Sequence, residues 1–165
     1  IFLNYIVAEL KESGWRVSIF INPESKYFKP AKETGTDRVE LYTEPYAAHY
    51  HEDREKAVAA YVEVSKIARE LGLGLNAGHD LDLHNLAFLK HKIPFLDEVS
   101  IGHALVCDAL YYGLENTIQM YRRRLEVWKL KVESWNFRIQ NFEKTHALVV
   151  YFQSKKYLHY LMSFR

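Results

Sequence analysis

Residues 72–86, "GLGLNAGHDLDLHNL", join a short apolar run to a cluster of polar side chains. The run from Leu73 to Ala77 has the length and composition of a buried strand, and glycines stand on both sides of it. Gly-His-Asp follows, and Asp82 then precedes a segment, about 83–91, with helical spacing of its apolar residues. We interpret this stretch as one strand–loop–helix unit.

Similar units lie on either side of this one. The β-branched and aromatic segments "WRVSIFI" (15–21), "DRVELYT" (37–43) and "DEVSIG" (97–102) predict three further strands. Helices are predicted before Gly14, over about 24–34, within "DREKAVAAYVEVSKIARELG" (53–72), and from near His103 to about Leu125 or beyond. A loop through Pro45 is expected between the second strand and the long helix.

Four short strands that alternate with helices indicate an α/β fold with a parallel sheet. Right-handed crossovers allow an open doubly wound sheet or a closed barrel. Four units are half of an eight-stranded barrel of the TIM type. Such a half is expected to leave two unpaired sheet edges and an uncovered interior, so we expect a partner segment that completes it.

Composition limits the class of protein. With 48% hydrophobic and 26% charged residues, the sequence is typical of a soluble globular chain, and no apolar run is long enough to span a membrane. The formal charge of +1 predicts no general attraction to nucleic acid or membrane. The single cysteine, Cys107, fits a reducing compartment, so we expect a cytoplasmic location.

The chain divides near residue 126. Residues 1–126 hold 15 Lys/Arg and 19 Asp/Glu, a net −4, whereas residues 127–165 hold 7 and 2, a net +5. We therefore treat 1–126 as the α/β domain and 127–165 as a separate basic, aromatic tail. The tail is predicted as a helical extension, an exposed strand or a segment foreign to the fold.

In a parallel α/β fold, the loops after the strands form the working edge. Glu40 lies inside a strand with Val39 and Leu41 facing the opposite way, and a buried carboxylate there needs either an arginine partner or a role in catalysis. Gly102 and His103 stand where a strand meets a helix, which is a favourable place for a phosphate because the first helical N–H groups lack partners within the helix.

The opening stretch itself allows three interpretations. His79 suits proton transfer, since its ordinary pKa is near 6.5. His79, Asp80, Asp82 and His84 together are a possible metal set for a metal-dependent hydrolase. Against this, the four positions do not share one helical face, and Asp82 has the place of a helix N-cap.

"GLGLNAGHDLDLHNL", followed by "IPFLDEVSIGHALVCDALYYGLENTIQMY" (93–121), closely resembles the pyridoxine 5'-phosphate synthase family. The upstream "GWRVSIFINP" (14–23) and "TGTDRVELYTEPYA" (34–47) match the family in the same order. The resemblance implies a (β/α)8 barrel, typically a homo-octamer, without metal or organic cofactor. Residues 1–126 would supply the last four βα units.

The resemblance also implies a reaction and residue roles. The family condenses 3-amino-2-oxopropyl phosphate with 1-deoxy-D-xylulose 5-phosphate, giving pyridoxine 5'-phosphate, phosphate and water. His79 would be the general acid and Glu40 would stabilise the transition state. Asp80 would contact the aminoketone phosphate, and the backbone of Gly102 and His103 would hold its phosphate.

Two expectations follow for the chain by itself. The family's general bases and deoxyxylulose-phosphate arginines belong to the first four units, so we expect the isolated chain to be inactive, with at most weak phosphate binding at Gly102 and His103. The alternative is a non-catalytic half barrel that pairs with another chain.

Overall fold

The computed structural model describes residues 2–126 and the backbone of residues 147–150. Its centre is a five-stranded parallel sheet in the order β4-β3-β2-β1-β5. The strands are β1 (Arg16–Ile21), β2 (Arg38–Tyr42), β3 (Gly74–Gly78), β4 (Glu98–Ser100) and β5 (Ala147–Val150). The predicted α/β class with a parallel sheet is confirmed.

Helices connect the strands. They are α1 (Phe2–Glu12), α2 (Phe28–Glu33), α3 (Glu44–Glu70), α4 (Leu86–Lys92), α5 (His103–Tyr112) and α6 (Leu114–Glu126), with a short 3-10 turn over Ser25–Tyr27. No helix in the described part of the chain has the length and apolar character needed to cross a membrane.

Alternation along the strands separates two faces of the sheet. Val39 and Leu41 of β2, with Leu75 of β3, are fully buried in one apolar cluster with residues of α3, α4 and α6. The intervening positions carry polar groups, among them Glu40 and Asn76. One face of the sheet is therefore the hydrophobic core, and the other face presents the chemistry.

The polar face is concave. Arg16 of β1 forms an ion pair with Glu98 of β4, with 2.7 Å between Nη2 and Oε1. These strands are three places apart in the sheet, about 14 Å if the sheet were flat. Asn76, on the strand beside β4, also donates a hydrogen bond to Glu98. Direct contact between side chains of β1 and β4 indicates strong curvature, as in part of a barrel.

The predicted single helix from His103 to Leu125 is wrong. Gly113 has φ +77 and separates α5 from α6. Glycine adopts this left-handed conformation without the steric cost of a Cβ, so the helical spacing continues across a break that periodicity alone does not reveal.

The predicted loop through Pro45 is also wrong. Helix α3 begins at Glu44, with Pro45 in its first turn, where proline is tolerated because its missing N–H has no helical partner. The interruption lies instead at Asp53, whose backbone leaves the helical region at φ −154 and ψ 91.

The expectation of two unpaired edges needs correction at β1. Strand β5 pairs in parallel with β1, from Arg16 opposite Ala147 to Ile19 opposite Val150. The interior is not uncovered either, since Ser18, Phe20, Glu40 and Asn76 are all buried. For residues 147–150 the strand interpretation of the tail holds. The rest of the predicted tail, 127–146 and 151–165, lies outside the described residues.

Candidate active site

The carboxyl ends of three strands meet at one edge of the sheet. Tyr42 of β2 pairs with Gly78 of β3, and Gly78 pairs with Ser100 of β4. The segments that follow these residues therefore begin side by side. They bring the candidate residues His79, Asp80, Gly102 and His103 to one side of the fold, and Glu40 lies two residues before the end of β2.

The backbone is strained where β3 ends. His79 has φ 98 and Asp80 has φ 53, the two non-glycine residues with positive φ in the described part of the chain. Side chains rarely adopt this region, and each such residue costs on the order of 1–3 kcal/mol. Such strain concentrates at functional sites, where the surrounding structure enforces it.

Neighbouring polar groups hold this conformation in place. The buried hydroxyl of Thr43 donates a hydrogen bond to the carbonyl oxygen of His79, and the Thr43 N–H donates to the Gly78 carbonyl. The side-chain amide of Asn85 donates to the carbonyl of Asp80 at 3.1 Å. The loop is therefore fixed from β2 on one side and from the start of α4 on the other.

The imidazole of His79 is oriented by two contacts. Its Nδ1 lies 3.0 Å from Oδ2 of Asp80, and both side chains are about half exposed. A carboxylate only accepts hydrogen bonds, so Nδ1 carries the hydrogen in this contact and Nε2 is left for a substrate. The ring also meets the edge of Tyr42, with 5.0 Å between ring centroids.

Tyr42 is a hydrogen-bond donor at this site. Burial, and then the carboxylates of Glu44 and Asp80, raise the pKa of the Tyr42 phenol above its usual value. The ring of Phe20, on β1, packs against the Tyr42 ring with 5.5 Å between centroids. A neutral aromatic wall thus lies beside the His79 imidazole.

Glu40 is completely buried on the concave face. Gly78 makes room for its carboxylate, because a Cβ on Gly78 would lie 2.2 Å from Glu40 Oε1. Of the arginines that the sequence allowed as its partners, Arg16 and Arg38 form ion pairs with Glu98 and Asp97. Their charges are thus engaged at β4 and at the residue before it.

Gly102 and His103 are exposed at the start of α5. A Cβ on Gly102 would have no neighbour within 4 Å, so the space beside its backbone is open. The Gly102 carbonyl accepts from the Val106 N–H in the first helical turn. The first N–H groups of a helix have no partner within it, and these face the same edge as His79.

Asp82 and His84 do not join the site. Asp82 Oδ1 accepts hydrogen bonds from the N–H groups of His84 and Asn85, at 2.8 Å each, which fits the predicted capping role. The turn that it caps leads into α4, which begins at Leu86. No three His, Cys, Asp or Glu side chains within 2–126 are placed to hold a metal ion, so the geometry gives the metal-hydrolase alternative no support.

Three contributors were absent from the sequence prediction: Tyr42, Thr43 and Asn85. Tyr42 and Thr43 end the segment "DRVELYT", directly after the strand that carries Glu40. Their position at the carboxyl end of a predicted strand was a usable signal. Asn85 gave no such signal, since its contact with Asp80 depends on the shape of the turn.

Comparison with known proteins gives a consistent result. The family model of the pyridoxal phosphate biosynthesis protein PdxJ matches residues 2–127. Pyridoxine 5'-phosphate synthase of Cytophaga hutchinsonii is 59% identical over 125 residues, which cover 76% of this chain and 52% of that protein. The synthase of Parabacteroides distasonis is 55% identical over 121 residues, covering 73% and 51%.

The chain thus spans about half the length of the curated relatives it matches. Among solved structures, the Amycolatopsis orientalis BexX/CysO complex is similar over 82% of this chain and 53% of that one, with a TM-score of 0.49 and 14% identity.

Proposed function

The chain belongs to the PdxJ family of pyridoxal phosphate biosynthesis proteins, and we propose that residues 2–126 supply one side of a pyridoxine 5'-phosphate synthase active site. The proposed reaction condenses 3-amino-2-oxopropyl phosphate with 1-deoxy-D-xylulose 5-phosphate, releasing phosphate and water. In this proposal the curved sheet is the last four βα units of a TIM-type barrel.

The observation that carries the proposal is the conformation of His79. An imidazole held at φ 98 directly after a strand, with Nδ1 bonded to Asp80, presents Nε2 in one fixed direction. A histidine oriented in this way can deliver a proton to a leaving oxygen of the substrate. We assign His79 as the general acid that converts a poorly leaving hydroxyl to water.

Glu40 is assigned to transition-state stabilisation. Its carboxylate is completely buried on the concave face, and Gly78 leaves the space that it occupies. A preorganised negative charge in a site shielded from water interacts strongly with positive charge that develops during a reaction. Iminium-like character at the amino group of the aminoketone is the kind of charge that it would favour.

The aminoketone phosphate is assigned to the edge between β3 and α5. Its phosphate suits the N–H groups of Gly102 and His103, at the positive end of the α5 dipole, with open space beside Gly102. Its amino group suits Asp80, because a carboxylate attracts an ammonium group and repels a phosphate. The two ends of one small substrate would then be held from two loops.

Family membership carries three further assignments as proposals. The partners are small phosphorylated substrates, with no nucleic acid or membrane, and the assembled protein is a homo-oligomer in the cytoplasm. No cofactor takes part. Because the chain spans about half of its relatives, we expect this chain without the remaining units to be inactive.

A chimera tests this function. Residues 2–126 replace the matching segment of the Cytophaga hutchinsonii synthase, and formation of pyridoxine 5'-phosphate is measured. We expect activity in the chimera and a loss of about 10²–10⁴-fold in a His79→Asn variant. Asparagine tolerates positive φ, so this variant keeps the backbone and removes the acid.

Ser13→Ala, a solvent-exposed change at the end of α1, is the matched control and should leave activity unchanged. An inactive chimera that is folded by circular dichroism would contradict the proposal. So would a His79→Asn variant as fast as the unmodified chimera.

A further inference from the structure

Helix α5 has an apolar face with no covering. Val106, Leu110 and Tyr111 are 59%, 81% and 85% exposed, and Leu114 at the start of α6 is 59% exposed. We call these four residues the α5 surface. Not one residue of α5 is buried, whereas α3 buries six. Contiguous apolar surface of this kind marks an interaction site.

The other side of α5 is already occupied. Asp108 accepts a hydrogen bond from the Tyr121 hydroxyl of α6 at 2.7 Å. On a helix, residues 106, 110 and 111 lie on one side, and residue 108 points away from them. The α5 surface is therefore directed away from α6.

The strand before α5 is uncovered in the same region. Strand β4 lies at the end of the sheet, with no further strand beside it in the described part of the chain. Its three residues are only partly buried, unlike the buried centres of β1, β2 and β3. An open strand edge and an apolar helix in consecutive elements need the same covering, which is another strand followed by a helix.

We propose that the α5 surface and the open edge of β4 dock the βα units that correspond to the unmatched half of the family. This inference rests on the proposed function. It is supported by the relatives' length, of which nearly half lies outside the match. The α5 surface also carries no charge, as expected for a face buried in a barrel's helical layer.

A second copy of this chain is a poorer occupant. To close a ring, each copy would have to pair its β4 with the other copy's β1. Strand β5 already pairs with β1 along Arg16–Ile19. A symmetric pair of half barrels would need to displace two such strands.

Cys107 reports on docking. It is exposed and lies on α5 between Val106 and Asp108, beside the α5 surface. Alkylation of its thiol is followed by mass spectrometry of its peptide in the full 165-residue chain, alone and with the unmatched part of the Cytophaga hutchinsonii synthase. We expect labelling to slow about tenfold or more on mixing. Titration calorimetry gives the affinity.

Two variants make the site specific. Leu110→Asp should weaken this binding by about 30-fold or more, as for a central interface residue. Tyr27→Asp, a similar change in the 3-10 turn before α2, should leave it unchanged. Equal weakening by both would overturn the proposal, as would thiol protection in the 165-residue chain alone with a dimeric mass in light scattering.

The chimera of residues 2–126 keeps the test decisive if the separate synthase part does not fold. In that covalent protein Cys107 should be protected from alkylation relative to the 165-residue chain. An active chimera with a freely labelled Cys107 would refute the docking surface and leave the function standing. A protected Cys107 in an inactive chimera would support docking and count against the function.

Discussion

Gly78 lies against Glu40 so closely that a methyl group on Gly78 would stand 2.2 Å from the Glu40 Oε1 oxygen and 3.0 Å from the Ser100 Cβ. The φ of Gly78 is not positive, so space and not backbone conformation requires glycine at this position. The residue before the strained His79 therefore determines where the buried carboxylate can lie.

Replacement of Gly78 by alanine should displace the Glu40 carboxylate. We expect Gly78→Ala to lower the free energy of unfolding by about 1–3 kcal/mol, the usual cost of overpacking, measured by urea denaturation. Gly102→Ala is the control, since a methyl group on Gly102 would meet no atom within 4 Å, and its stability should change by less than about 0.5 kcal/mol. Equal stability of Gly78→Ala and the unmodified chain would refute the tight contact.

Replacement of His79 by glycine should stabilise the protein. Glycine adopts φ 98 without steric cost, so relief of strain should outweigh the lost Asp80 contact by about 1 kcal/mol. The same change at His49, inside α3, should destabilise by about 1 kcal/mol because glycine is a poor helix former. Thermal denaturation of both variants checks the opposite signs, and destabilisation by His79→Gly would contradict the strain.

The Arg16–Glu98 pair should couple β1 to β4. A double-mutant cycle with Arg16→Gln and Glu98→Gln should give a coupling free energy of about 1 kcal/mol, since both side chains are partly shielded from water. The exposed pair Lys26–Glu24 is the control and should give a coupling near zero. If the two cycles give the same value, the ion pair does not support the curvature of the sheet.

Asp37 should make stability depend on pH. Burial alone would raise the pKa of the Asp37 carboxyl, but Lys11 at 2.8 Å and the Val17 N–H at 2.9 Å outweigh this and hold the pKa below its usual value. A depressed pKa in the folded state contributes stability above the unfolded pKa, near 3.8, which is lost as the pH falls through the folded pKa.

Asp37→Asn should therefore be less stable than the unmodified chain at pH 7, by about 1–2 kcal/mol. The difference between the two proteins should shrink as the pH is lowered below about 4. Urea denaturation between pH 3 and 7 measures this. A difference that stays constant across the range would show that the carboxylate charge has no part in the effect.

The positions of the first four strands and of most helices could be predicted from the sequence because they depend on local pattern. Alternation in "DRVELYT" placed Glu40 opposite Val39 and Leu41, and glycines after predicted helices marked their ends. The same reasoning missed the break at Gly113 and the helix beginning at Glu44, because apolar spacing continues across the first and proline misleads at the second.

The candidate site divides in the same way. His79, Asp80, Gly102 and His103 were identifiable because a residue just after a parallel strand reaches the working edge of the sheet. Their shared edge follows from strand register, in which Gly78 lies between Tyr42 and Ser100. Register follows from hydrogen bonds between segments that are far apart in the chain.

The sequence by itself determined the alternation of strands and helices, the polar and apolar faces of the sheet, and the residue types available for chemistry. Only the tertiary structure decided the left-handed backbone at His79, its support by Thr43, and the contact of Arg16 with Glu98. The reason is physical: periodicity reports which side of an element is buried, whereas strain and curvature arise when separate elements are packed together.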